Sequence, residues 1–293
     1  IYDALYGEEE NITHILVRHE QCAAHAAEGY ARASGKTGVC LATSGPGATN
    51  LVTGIADAYL DSVPILALTG QVSSNLIGGD AFQEADIFGM LMPVTKHNYK
   101  VLDAKKLPYV LKEAMTLTRL GRPGPVAVDI PKDVQTALID FDYPDSIVID
   151  GYKPQTKGHP EQVKKAVEML VNAEKPVILA GGGIVSSGAH QELTALAEAL
   201  MAPVVTTLMG KGAISDLHPL CLNQAGMHGR VVANWALNNC DVLFCIGARF
   251  DDRVTGDLKH FAPNARVIHA DIDPAEIGKN VETHLPIVGD ARN

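Results

Sequence analysis

The stretch Gly38-Val39-Cys40-Leu41-Ala42-Thr43-Ser44-Gly45-Pro46-Gly47-Ala48-Thr49-Asn50 decides the fold. It reads as an apolar strand over 38–42, a glycine-proline turn, then a helix to about Leu60. Upstream, residues 12–18 read as a buried strand. Residues 20–34 read as an Ala-rich helix stopped by Gly35. Downstream come a strand at 64–69, a polar stretch over 70–100 with a short helix near Ala85, a helix at 107–120 and a strand at 125–130 closed by Pro131. Strands alternating with helices predict a parallel sheet covered on both faces.

The pattern restarts further on. A helix at 160–172 precedes a strand at 176–180. The triplet Gly181-Gly182-Gly183 leads to a helix at 188–200. Strands at 203–207, 242–246 and 266–270 follow, with a helix at 230–239. The expected fold class is α/β, with two doubly wound parallel-sheet domains. The first spans 1–140, residues 141–158 form a linker, and the second spans 159–293. A length of 293 residues agrees with two domains at roughly 150 residues each. The formal charge is −10, which excludes a cationic surface for nucleic acid or anionic lipid. Five cysteines without C-x-x-C argue for a reducing, cytoplasmic setting. No apolar run reaches the roughly 20 residues of a membrane helix. The chain starts without Met and reads as part of a longer protein.

Several familiar motifs fail on spacing. Ser34-Gly35-Lys36-Thr37 lacks the upstream Gly of a phosphate loop, because position 30 is Tyr30. His19-Glu20 lacks the second His of a zinc-protease helix, since position 23 is Ala23, and no metal ligands are assigned. Gly181 and Gly183 begin a dinucleotide fingerprint whose last Gly falls on Ser186, so an NAD site is disfavoured. That turn can still offer backbone N–H groups to a phosphate.

Other loops follow strands, where open parallel sheets bind ligands. These are Arg18-His19-Glu20, the turn 44–50, Asp80-Ala81-Phe82-Gln83-Glu84, and Gly121-Arg122-Pro123-Gly124-Pro125 with Pro131-Lys132-Asp133 at the far end of its strand. Gly247 to Arg253 carries four charges in seven residues, and Asp271-Ile272-Asp273 ends a strand with an acid suited to a diol. Taken one at a time, each has a plainer reading: Glu20 as a first-turn acid, and Arg122 and Lys132 as solvated charges.

Taken jointly they resemble a family. His19-Glu20-Gln21 with Ala27 through Arg32, and Ser44-Gly45-Pro46-Gly47, resemble the thiamine-diphosphate enzymes. Residues 80–86, 94–98, 121–126, 226–229 and 247–255 narrow the likeness to the acetohydroxyacid synthase (acetolactate synthase) catalytic subunit. The likeness covers the whole chain. Cys22 departs from the small residue common there, with an expected effect on packing only.

The resemblance implies the first common step of valine, leucine and isoleucine synthesis. Pyruvate is decarboxylated on thiamine diphosphate and its hydroxyethyl group passes to a second pyruvate or 2-ketobutyrate. It implies a pyrimidine-binding domain followed by a Rossmann-like FAD-binding domain, with a diphosphate- and Mg2+-binding domain outside this stretch. Glu20 becomes the acid that exchanges a proton with the pyrimidine ring, with a pKa raised by a dry, apolar setting. Gln83 and Lys132 join it in catalysis, and Ser44, Gly45, Pro46, Gly47 and Asn50 join Glu20 and Gln83 around thiamine diphosphate. Phe82, Met227 and Arg253 face substrate. FAD is assigned to Arg122, the 181–183 turn, Thr207, Leu208, Met209, Met227, His228, Gly247, Ala248, Arg249, Asp251, Arg253, Val254, Asp271, Ile272, Asp290 and Ala291. A homodimer or homotetramer, with a regulatory small subunit, is implied. The alternatives are a pyruvate-oxidase-like or other carboligase and a non-catalytic FAD-binding fragment.

Overall fold

The computed structural model describes residues 1–293, which divide into two compact units, Ile1–Tyr152 and Lys153–Asn293. The first holds four parallel strands: β1 (Gly38–Ala42), β2 (Ile65–Gln71), β3 (His97–Lys100) and β4 (Val126–Pro131). Their order is β1-β2-β4-β3. Every residue of β4 is buried, as expected of an interior strand covered on both faces. The helix Glu20–Ser34 starts on an N-cap in which His19 Nδ1 accepts from the Gln21 amide, and ends on left-handed Gly35. Its buried Ala24, Ala27 and Ala31 let it lie close to its neighbours. A Cβ on Gly54 would stand 2.5 Å from that of Ala24, so the helix Val52–Leu60 meets it with almost no gap.

The second unit holds six parallel strands: β5 (Pro176–Ala180), β6 (Val204–Thr206), β7 (Cys221–Gln224), β8 (Val242–Ile246), β9 (Arg266–Asp271) and β10 (Leu285–Val288). Their order is β10-β9-β8-β5-β6-β7. One apolar cluster, around Ile178, Val204, Phe244 and Ile268, packs on one face. A second, around Leu179, Val205, Leu243 and Val267, packs on the other. The alternation of neighbours between the clusters is the pleat of strands buried on both sides.

The α/β class with parallel sheets holds, but some local expectations do not. Residues 12–18 are not a strand. They pair with no ladder, and Ile15 and Leu16 are exposed. An apolar run becomes a strand only where a sheet edge takes up its backbone groups; here the Ile12 amide donates to the Glu8 carbonyl in a local turn and the His14 ring meets Tyr2. Strand β3 lies inside the stretch read as polar loop. The 46–60 helix is two, Pro46–Asn50 and Val52–Leu60. The glycine triplet opens its own short helix, Gly182–Ser187, ahead of His190–Leu200. Cys22 is exposed and so has no part in the core. No helix is long and apolar enough to cross a membrane.

Candidate active site

The C-terminal edge of the first sheet carries the first group of site residues. Beyond β1, Gly45 takes φ +58, and a Cβ there would fall 2.5 Å from the Gln83 carbonyl oxygen. Only glycine allows both the dihedral and the approach. Gly47 is equally confined: its Cβ would stand 2.7 Å from Thr43 Cγ2 and 3.3 Å from Glu20 Oε1. Glu20 reaches across to the same turn, where Asn50 Nδ2 donates to its Oε2 at 2.9 Å. The structure therefore brings Glu20, Gly47 and Asn50 together, and sets Gln83 against Gly45.

Glu20 is partly open to solvent, and the Asn50 hydrogen bond holds its carboxyl below the usual glutamate value. This corrects the raised pKa expected of a dry site. A donor aimed at the carboxylate favours the charged form, and the alanines beside it do not remove enough water to reverse that.

The loop bearing Phe82 and Gln83 is strained and braced. Asp80 and Gln83 both have positive φ. Glu84 accepts from the Gly78 and Ala81 amides, which holds its carboxyl below the ordinary 4.5. A carboxyl lowered in the fold stabilises it above its unfolded value and loses that effect as pH falls through the folded value. Glu84→Gln is therefore expected to speed proteolytic cleavage within 78–86 several-fold at pH 7. The difference from wild type should shrink once pH drops below 4.5. Equal cleavage at pH 7 would refute the brace.

A cavity of about 420 Å³ opens beside this group, lined among others by Ser44, Gly70, Gln71, Lys132 and Gln135. Lys132 begins a short helix, Lys132–Thr136, at the end of β4. Arg122 sits at the other edge of the sheet, before β4, and its Nε donates to Ser62 Oγ at 2.8 Å. Lys96 clips its turn by donating to the carbonyls of Leu117, Leu120 and Arg122. Sequence reasoning missed the buried pair Gln71 and Asp129. The signal was an Asp inside the apolar run Val126-Ala-Val-Asp-Ile. It also missed His25, Glu28 and Asp57, whose ligating atoms all lie within 4.8 Å of one another. Arg32 already pairs with Glu28 at 2.6 Å, which makes that cluster an ion-pair network between helices.

In the second unit the assigned residues follow the C-terminal ends of all six strands. Along the sheet these are Asp290-Ala291, Asp271-Ile272, 247–254, 181–183, Thr207 to Met209 and Met227-His228. The glycine turn is used differently from expectation. Gly181 N donates to the Ile246 carbonyl and Gly183 N to that of Gly247. A Cβ on Gly181 would stand 2.0 Å from Gly247 O. Those glycines let two loops touch, and the two amides are spent on the neighbouring loop rather than offered to a phosphate. Arg253 Nη1 lies 3.7 Å from Met227 Sδ, and the Met227 amide donates to the Arg253 carbonyl. Asp251 caps the short helix Asp252–Thr255. Asp271 accepts from the Asp273 amide at 2.8 Å. Thr206 Oγ1, at the end of β6, is buried without a partner.

Two family patterns match the chain. One, for the thiamine pyrophosphate enzyme N-terminal TPP binding domain, matches residues 1–90, and one for the central domain matches 163–293. The chain belongs to the thiamine pyrophosphate enzymes. Over its whole length it is 59% identical to the probable acetolactate synthase large subunit of Methanocaldococcus jannaschii and covers 50% of that protein. It is 57% identical to the acetolactate synthase large subunit of Corynebacterium glutamicum, covering 46%, and 54% identical to the acetolactate synthase of Arthrospira platensis, covering 52%. The chain thus spans about half the length of these relatives. The N-terminal match takes in Glu20, the 44–50 turn and Gln83. The central match takes in all six loops of the second sheet edge.

Proposed function

We propose that this chain is the pyrimidine-binding and FAD-binding part of an acetolactate synthase, which joins two 2-keto acids with loss of one CO2. The observation that carries the reading is the Glu20–Asn50–Gly47 group set beside Gln83, in a chain 54–59% identical to proteins of that name. Thiamine diphosphate supplies the electron sink for the decarboxylation, with magnesium and FAD as the further cofactors.

The residues present fit an aminopyrimidine. Glu20 offers a charged carboxylate with one oxygen steadied by Asn50 and the other beside Gly47, where any side chain would crowd it. Such a group takes and returns a proton at a ring nitrogen, a role worth about 10² to 10⁴ in rate. Gln83, fixed by its contact with Gly45, presents an amide to the reacting end. Lys132 in the adjoining cavity and Arg253 beside Met227 are the cations for substrate carboxylates, Arg253 by its planar fork. Phe82 is 88% exposed, free to cover a bound keto acid. For FAD, support comes from the row of loops on the second sheet edge and from the unpartnered Thr206 hydroxyl there. Arg122 is assigned to the same flavin. The enzyme is cytoplasmic, at least a homodimer, and works with a regulatory small subunit, in keeping with the "large subunit" of its relatives' names.

The complete enzyme, given pyruvate and the three cofactors, is expected to release acetolactate and CO2 in equal amounts without oxygen uptake. Oxygen uptake matching pyruvate consumption would assign a pyruvate oxidase instead.

A further inference from the structure

The acid inside β4 has no part in the chemistry described above. Asp129 is 2% exposed, and its register partner on β2 is Thr69. Thr69 Oγ1 donates to Asp129 Oδ1 at 2.7 Å. Gln71 Nε2 donates to Asp129 Oδ2 at 3.1 Å and to the Ala85 carbonyl at 2.9 Å. The other end of the same amide, Gln71 Oε1, accepts from the Val72 N–H. Burial of polar groups this complete is tolerated only where they are paired.

The connection runs outward. Ala85 closes the loop that carries Phe82 and Gln83, and the loop's inner side rests on Gly45. With positive φ at Asp80 and Gln83, the loop does not hold its shape from local preference alone. Glu84 ties it internally, and Gln71 ties it to the sheet. We propose that Asp129 and Gln71 are positioning residues: a buried strut from β4 through Gln71 to Ala85 that sets Gln83 over the Gly45 turn. The strut explains a carboxylate inside an apolar strand. Burial pushes the Asp129 carboxyl up, and the Thr69 and Gln71 donors oppose that by favouring its charged form.

This inference rests on the reading of Gln83 as a cofactor-side residue, and the test separates the two. In the complete enzyme, Gln71→Met should speed amide exchange over 78–86 about tenfold, while β2 and β4 amides stay as slow as in wild type. Asp129→Asn still offers Gln71 an acceptor and should keep that exchange within about threefold. In acetolactate assays Gln71→Met should lose about tenfold in kcat/KM, chiefly in kcat. The Gln71→Met/Gln83→Ala double variant should be no worse than Gln83→Ala alone, because the strut acts through that residue. A merely destabilising change would instead multiply the losses. Unchanged exchange over 78–86 in Gln71→Met, exchange in Asp129→Asn as fast as in Gln71→Met, or multiplicative losses in the double variant would each overturn the strut. Full activity in Gln83→Ala, with fast exchange in Gln71→Met, would leave the strut standing and remove the role given to Gln83.

Discussion

Glu20→Gln in the complete enzyme is expected to lower acetolactate formation by about 10² to 10⁴ while the protein still folds and binds its cofactor. The substitution keeps the side chain's size and its helix start. Asn50 Nδ2, which donates to Glu20 Oε2 at 2.9 Å, still meets an amide oxygen. What is lost is the ability to give and take a proton. Because Asn50 holds the Glu20 carboxyl below its ordinary value, the group is ionised at neutral pH and ready to accept. Asn50→Ala should therefore act in the opposite sense on titration, letting the Glu20 carboxyl rise and moving the acid limb of the pH–rate profile upward. Acetolactate formed at the wild-type rate by Glu20→Gln, measured colorimetrically, would sink the assignment.

The second large effect is on stability. Gly181→Ala should cost about 3 kcal/mol or more, beyond the usual overpacking range, because nothing soft stands in the way. The added methyl would meet Gly247 O at 2.0 Å and Ala248 Cβ at 2.6 Å. Relief requires the loops after β5 and β8 to separate, which stretches the Gly183-to-Gly247 hydrogen bond and its neighbour from Gly181 to Ile246. For a unit of this size the midpoint of thermal unfolding should fall by roughly 10 °C. Gly188→Ala is the control. It has φ +69 but open space around it, so only the backbone preference, on the order of 1 kcal/mol, is lost. A Gly181→Ala midpoint within a degree or two of the Gly188→Ala value would show that the loops are not pressed together as described.

Much of this is legible in the sequence because the relevant signals are local. The strands β4, β5, β8 and β9 are apolar runs bounded by glycine, proline or an acid, and burial on both faces needs no more; β1, an edge strand with Val39 exposed, is legible from its apolar run and the glycine-proline turn after it. Glu20 is found through its motif at a helix start, which is written in a few adjacent residues, although the strand expected before it is absent. The polar strand His97–Lys100 is not legible, because an edge strand is made by its one neighbour rather than by its own composition. Residues 12–18 mislead for the converse reason: they have strand-like residues and no partner. The titration of Glu20 depends on Asn50, thirty residues away. The two amides of the glycine turn are spent on a loop more than sixty residues on. Contacts of that kind follow from the assembled sheet edge, and a spacing rule cannot supply them.

The central claim is that Glu20 moves the proton that readies the cofactor, and the most direct measurement is hydrogen–deuterium exchange at the thiazolium carbon of bound thiamine diphosphate. It would be followed by acid quench and NMR, in wild type and in Glu20→Gln. The account predicts exchange at least about a hundredfold slower in the variant at equal cofactor occupancy. Equal exchange rates in the two proteins would contradict it.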